Sequence, residues 1–289
     1  MSKHIHVVVN PASGQNEPIL NTLNDVFHPA GVPWSASVTQ AYGDAIDQAR
    51  EAAEGGADVV AGYGGDGTQM EVVTGVMGTG ATMAVLPGGT GNIFSIELGV
   101  PTDLAAAAEV IVSEDSVVRK IDVGQCGGNN FLLRVGAGFY AKRINMTSRE
   151  LRDQFGKLSY FIAGLQAIPE TQHLTYRFTL DGEVVEEKGY SCMIQNAGNM
   201  GKKGVMLAPG ISITDGYLDA ILFKTLDATS LATSGEPVDS KALGHWRAKE
   251  ITVEVDPPQP VVGDGETWGD TPVTATVLPG AVSIITPPE

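Results

Sequence analysis

The sequence predicts an α/β domain over residues 1–119 followed by a β-rich, sandwich-like domain over 120–289. Two observations carry this. Short β-branched runs alternate with segments of helical period through the first third of the chain. From about Lys120, strand-like runs then follow one another with turns between and few helices. No internal repeat is visible.

In order, Ile5–Val9 is a continuous β-branched run, as expected of a strand buried on both faces. Residues Glu17 to Phe27 place Ile19, Leu20, Leu23, Val26 and Phe27 at helical spacing. Trp34 to Thr39 alternates as a second strand. Gly43 to Glu54 is an alanine-rich helix closed by Gly55-Gly56. Asp58 to Ala61 and Thr82 to Leu86 are the third and fourth strands, with a helix starting near Thr68 between them. Another helix spans Asp103 to Ser113, capped by Thr102 or Asp103 after Pro101. In the second domain, strands are expected at 120–123, 130–135, 174–180, 189–196, 217–223, 250–255 and 273–277. Asp181-Gly182 is a hairpin signal. A helix is expected from Lys157 to Ile168, and Thr225 to Leu243 reads as a polar surface segment.

Composition narrows the function. With 43% hydrophobic and 18% charged residues the chain can bury a core. A net charge of −16 argues against a nucleic-acid partner, whose phosphates require a basic face. It argues equally against general electrostatic attachment to anionic lipid. Cys126 and Cys192 stand far apart, forming neither a metal pair nor a disulfide framework, which fits a reducing cytoplasm. The first apolar run is too short for a signal-peptide core, and none approaches a membrane span.

Three loops follow predicted strands of the first domain, where ligands of open α/β sheets bind. The first is Asn10-Pro11-Ala12-Ser13-Gly14, whose small residues let backbone N–H groups approach an anion. The second, Gly62-Tyr63-Gly64-Gly65-Asp66-Gly67-Thr68, sets glycines around one aspartate just before a helix N-terminus. A β-branched residue at Gly65 or Gly67 would fill a phosphate's place and oppose left-handed backbone. The third, Leu86-Pro87-Gly88-Gly89-Thr90-Gly91-Asn92, adds a hydroxyl and an amide. No Gly-Lys-Ser/Thr follows, so neither glycine loop is a Walker loop, and the spacing is not the dinucleotide fingerprint.

Together these segments resemble the diacylglycerol kinase catalytic-domain family: Asn10-Pro-x-Ser-Gly14, Gly64-Gly-Asp-Gly-Thr68 with Glu71 behind it, and Leu86-Pro-x-Gly-Thr90-x-Asn92. That superfamily includes sphingosine, ceramide and, more distantly, NAD kinases. The second domain continues the resemblance with Asp215-Gly216-Tyr217-Leu218-Asp219 and Asp264-Gly265-Glu266. The resemblance implies a Rossmann-like three-layer first domain and a β-sandwich-like second one. It further implies an ATP- and Mg²⁺-dependent kinase acting on a lipid hydroxyl, diacylglycerol or a relative.

By the same resemblance, Asn10, Pro11, Ala12, Ser13, Gly14, Thr39, Gly64, Gly65, Asp66, Gly67, Thr68, Gln69, Met70, Thr90 and Asn92 bind the nucleotide. Asp264, Glu266 and Asp66 are the catalytic carboxylates, Asp66 on the metal and either of the others the base. Asp215, with the carbonyls of Ser212 and Tyr217, would hold a structural Mg²⁺, the alternative being an ordinary turn without metal. Met70 and Ile93 depart from the family, which has Asn and Asp at those places. The acceptor hydroxyl is expected to enter a cleft between the domains. The implied partner is a lipid substrate met by transient membrane contact; oligomeric state stays open, with pairing of two copies through an exposed strand edge one option. The implied location is the cytoplasm or the inner face of the membrane. Two other readings stay open: an NAD kinase-like enzyme with a soluble acceptor, and a nucleotide-binding regulator of weak activity.

Overall fold

The structure, a computed structural model, describes residues 4–14, 17–138, 173–201, 206–225 and 241–288. The expected helix from Lys157 to Ile168 and most of the polar segment after Thr225 lie outside these residues. The chain divides into two units, Met1–Ile121 with Gly280–Glu289, and Asp122–Pro279. The closing segment therefore groups with the N-terminal unit.

The first unit is built on β1 (Ile5–Val9), β2 (Trp34–Val38), β3 (Val59–Gly64) and β4 (Thr82–Pro87), all parallel in the order β2-β1-β3-β4. Helices α1 (Ile19–Phe27), α2 (Asp44–Glu54), α3 (Asp66–Val76), the short α4 (Ile93–Glu97) and α5 (Leu104–Val112) complete it. Val7, Val8, Val60, Ala61, Met83 and Ala84 are fully buried, as continuous apolar runs in a covered parallel sheet should be. Of the two cap candidates for α5, Asp103 does the work, accepting the Ala106 N–H at 2.9 Å. Strand order reverses between β1 and β3, the place in an open parallel sheet where ligands bind at the carboxyl ends of the strands.

The second unit is a sandwich. One sheet contains β8 (Leu174–Leu180), β9 (Glu183–Gly189), β13 (Glu250–Val255) and the first part of β16 (Val273–Thr286). The other runs β12 (Leu243–Ala248), β11 (Leu218–Phe223), β10 (Ser191–Gln195), β7 (Arg134–Gly138), β14 (Pro260–Gly263) and β15 (Glu266–Asp270). Tyr176, Phe178, Ile194, Leu222, Ile251 and Val261 fill the space between them. β5 (Val117–Cys126) enters this unit and pairs with β6 (Asn129–Phe131).

Two differences from the sequence expectation have physical causes. The single strand expected at 130–135 is broken between β6 and β7, because the N–H groups there are drawn to a side chain distant in sequence. β16 continues far past Val277, through Pro279 and Gly280, until Ile284 pairs with Met83 in the first unit. Both cysteines are buried, which pushes the Cys126 thiol up to about 11 and Cys192 up to about 12, as expected of unreactive core thiols.

Candidate active site

In the first unit the three glycine loops leave the carboxyl ends of β1, β3 and β4 and brace one another. Asn10 is the tie of the first loop. Its amide donates to Thr68 Oγ1 at 2.9 Å, and its Oδ1 accepts the Ala12 N–H at 3.0 Å. The Ser13 hydroxyl and N–H both turn back to the Asn10 carbonyl. The Ala12 and Ser13 N–H groups are thus already engaged within the loop. Pro11, Ala12 and Gly14 are exposed.

Gly14 has φ +99°, and a Cβ there would sit on the Gly88 carbonyl, so the first and third loops meet backbone to backbone. The second and third meet at Gly65 and Gly89, where a Cβ on Gly89 would lie 2.5 Å from Gly65 Cα. Gly65 and Gly67 are not left-handed, contrary to expectation, and neither is Gly64. Their value is space. Gly64 leaves room for the Thr68 side chain, and Gly67 is exposed with no atom within 4 Å of a Cβ built on it.

Several expected nucleotide ligands prove to hold these loops in place. Gln69 is buried, and its amide nitrogen donates to the carbonyls of Gly62 (2.8 Å), Leu86 (3.3 Å) and Gly64 (3.4 Å). Its side chain therefore spans β3 and β4 from inside. Asn92 has φ +45°, and its Oδ1 accepts the Gly89 N–H at 2.9 Å. Asp66 Oδ1 accepts the Phe94 N–H at 2.9 Å. Met70 is half-buried and its carbonyl accepts the Thr74 hydroxyl. Thr39 is buried at the end of β2, with its N–H on the Val9 carbonyl. Thr90 is exposed on the third loop. Glu71 accepts the N–H groups of Gly43 and Ala45, both at 3.2 Å, supplying α2 with the N-terminal acceptor that Gly43 cannot.

Sequence reasoning missed Tyr63, whose buried ring supports Gly88 and whose hydroxyl donates to Glu17 at 2.6 Å. Burial and that carboxylate raise the phenol well above its usual range.

In the second unit Asp264 and Gly265 form the two-residue turn between β14 and β15. Their φ values of +43° and +100° identify a type I′ hairpin. The Asp264 carboxylate points into the break between β6 and β7. Oδ2 accepts the N–H of Leu132 at 2.7 Å, Oδ1 that of Arg134 at 2.8 Å, and both share that of Leu133 at 3.2 Å. Burial pushes this carboxyl up to about 6, while the three N–H groups and the nearby Arg134 charge pull it down. Glu266, the next carboxylate of the turn, is exposed.

The Asp215-Gly216 turn holds a third acidic group. Asp215 Oδ1 accepts the Tyr217 N–H at 3.1 Å, and Oδ2 lies 3.0 Å from Arg247 Nη2. Ser212 is half-buried, its hydroxyl bonded to that of Thr214. Burial raises the Asp215 pKa, with the charges of Asp219 and Asp122 adding to it. Asp122 accepts the Gly216 N–H, and Asp219 accepts from His245 and Arg247. Asp219 Oδ2 is buried with no hydrogen-bond partner. Among the described residues no group of three or more His, Cys, Asp and Glu side chains is arranged to hold a metal. The Asp215 carboxylate and the carbonyls of Ser212 and Tyr217 are hard oxygens of the kind magnesium takes, and the Arg247 guanidinium occupies the same carboxylate.

Comparison with known proteins agrees with both halves. Residues 4–126 match the model of the diacylglycerol kinase catalytic domain, and residues 134–286 that of the YegS C-terminal NAD kinase beta sandwich-like domain. An uncharacterized Synechocystis protein is 30% identical over 98% of this chain and 70% of its own length. A Bacillus subtilis protein named diacylglycerol kinase is 28% identical over 99% of this chain and 97% of its own. A solved Bacillus anthracis structure, provisionally named a diacylglycerol kinase, superposes with a TM-score of 0.83 at 28% identity, covering 99% of this chain and 97% of that one.

Proposed function

This chain belongs to the diacylglycerol kinase catalytic-domain family, a family of lipid kinases, and on that premise we propose that it transfers the γ-phosphate of ATP to the hydroxyl of diacylglycerol or a closely related lipid. The observation that carries this reading is the braced set of loops around Gly14, Gly65, Gly67 and Gly88. Gly14 and Gly88 let the loops close on one another and on the Tyr63 ring, while Gly67, with no atom within 4 Å of a Cβ built on it, leaves open the space that phosphate oxygens would take beside the start of α3. Phosphoryl transfer asks a protein for positioning and for charge stabilisation more than for covalent chemistry, and rigid loops supply positioning. Magnesium, when bound, neutralises charge between the β- and γ-phosphates.

The acceptor hydroxyl must lose a proton. Both oxygens of Asp264 already take two backbone N–H contacts each, which uses their in-plane lone pairs. Asp264 is therefore read as the anchor of the turn and Glu266, exposed beside it, as the base. Among the described residues no helix is long and apolar enough to cross a membrane. With a net charge of −16, contact with a lipid surface would rest on apolar burial more than on Coulomb attraction.

The test is turnover of labelled ATP with magnesium across diacylglycerol, ceramide, sphingosine, glycerol and NAD. Labelled phosphate is expected on a lipid, with diacylglycerol in mixed micelles the first choice, and moderate NaCl should leave the rate standing. Phosphorylation of NAD or glycerol in place of every lipid would overturn the lipid assignment.

A further inference from the structure

Helix α4 has five residues, too few to be stable alone. Its N-cap, Asn92, turns its side chain back to Gly89 and gives the helix no cap. The amides of a helix's first turn have no partner within the helix. At α4 one of them is satisfied from another loop, by Asp66, which receives the Phe94 N–H at 2.9 Å across 28 residues of sequence. The Phe94 ring is fully buried, so the residue is held by its side chain in the core and by its amide on Asp66. The third loop leads directly into this anchored residue, with Thr90 exposed and Gly89 against Gly65.

We infer that Asp66 is a positioning residue: it fixes the third glycine loop against the second through the Phe94 amide, rather than holding the metal or taking the proton. The inference rests on the proposed nucleotide reading of these loops. Its chemistry separates the roles. Accepting an N–H requires an oxygen, which Asn retains. Binding a metal strongly or acting as a base requires the carboxylate charge, which Asn lacks.

Asp66→Asn and Asp66→Ala are compared with wild type in three measurements: amide exchange at Phe94, ADP affinity in EDTA by calorimetry, and kcat and KM for ATP. Positioning predicts that Asp66→Asn stays within about 5-fold of wild type in affinity and turnover, with the Phe94 amide protected. It predicts that Asp66→Ala exposes that amide, weakens ADP about 10-fold without metal, and raises KM more than it lowers kcat. The inference is overturned if Asp66→Asn loses roughly 100-fold in kcat, as Asp66→Ala does, while ADP affinity in EDTA is unchanged in both. If wild type phosphorylates no lipid, the parent reading fails, and amide exchange with ADP titration still decides the role of Asp66.

Discussion

The chain contains the tripeptide Asp-Gly-Glu twice, at Asp181-Gly182-Glu183 and at Asp264-Gly265-Glu266, and the two turns are nearly the same object. Each is a two-residue hairpin with both central residues at positive φ. Each aspartate donates its own N–H to a carbonyl of a neighbouring segment, Asp181 to Glu250 and Asp264 to Arg134. Each then accepts backbone N–H groups from that segment with its carboxylate. Asp181 takes those of Lys249 and Glu250, and Asp264 those of Leu132, Leu133 and Arg134. The aspartate and the glycine are therefore explained by the hairpin in both places. An Asp-Gly turn with its carboxylate on nearby amides is a structural device, and catalysis is not needed to account for it.

What differs is the setting. Asp181 is exposed, so water can satisfy whatever its loss would leave unpaired. Asp264 faces the break between β6 and β7, where burial raises its pKa to about 6. The glutamates differ by position in the fold: Glu183 opens β9, the edge strand beside β8, whereas Glu266 follows the turn that the family resemblance marks as catalytic.

The largest expected effect separates the two glutamates. Glu266→Gln should lower turnover by on the order of 100-fold or more with an unchanged melting temperature, while Glu183→Gln leaves both alone. Equal activity of the two variants would place the base elsewhere. The second effect separates the two aspartates by stability. Asp264→Ala strands buried amides and should cost about 3 kcal/mol or more in chemical denaturation, against about 1 kcal/mol or less for Asp181→Ala. If the two variants unfold at the same denaturant concentration, burial of Asp264 does not matter in the way described.

That asymmetry also marks what the sequence could and could not reveal. β1 and β13 are legible to the residue because Ile5–Val9 and Glu250–Val255 carry their pattern locally. The Asp181-Gly182 turn and the Asp103 cap are legible for the same reason. The break between β6 and β7 is not, because its cause, Asp264, lies far along the chain. β12, β14 and β15 escaped because their alternation is interrupted by glycine, proline and charge, and pairing alone completes them. In the candidate site the loops themselves stood out through their glycines. The roles of Gln69 and Asp66 did not, since a buried amide across two strands and a carboxylate on a distant N–H leave no local signature.

A third, smaller effect sharpens the contrast through pH. Asp264 titrates at about 6 in the folded protein against an ordinary value of 3.8. A raised folded pKa adds stability that is full below the unfolded value and is lost as pH rises through the folded one. Wild type should accordingly show a component of unfolding free energy that falls between about pH 4 and pH 6. Asp181→Ala should keep that component, and Asp264→Ala should lack it. Identical slopes in all three proteins over this window would mean that Asp264 titrates normally.

The smallest effect concerns the remaining Asp-Gly turn, Asp215-Gly216, which departs from the other two. Its carboxylate accepts the N–H two residues on in its own chain and otherwise meets Arg247, with Asp122 and Asp219 close by. Here an ion pair competes with any metal for one carboxylate. A ligand stabilises only the state that binds it. If magnesium binds at Asp215, adding it should raise the melting temperature of wild type by a few degrees, and Asp215→Ala should abolish that rise while melting near wild type in EDTA. Arg247→Ala, which frees Asp215 from its guanidinium, should enlarge the magnesium response. Were Asp215→Ala to lower the melting temperature equally with magnesium and with EDTA, Asp215 would serve only Arg247 and the Tyr217 N–H, and all three Asp-Gly turns would be structural.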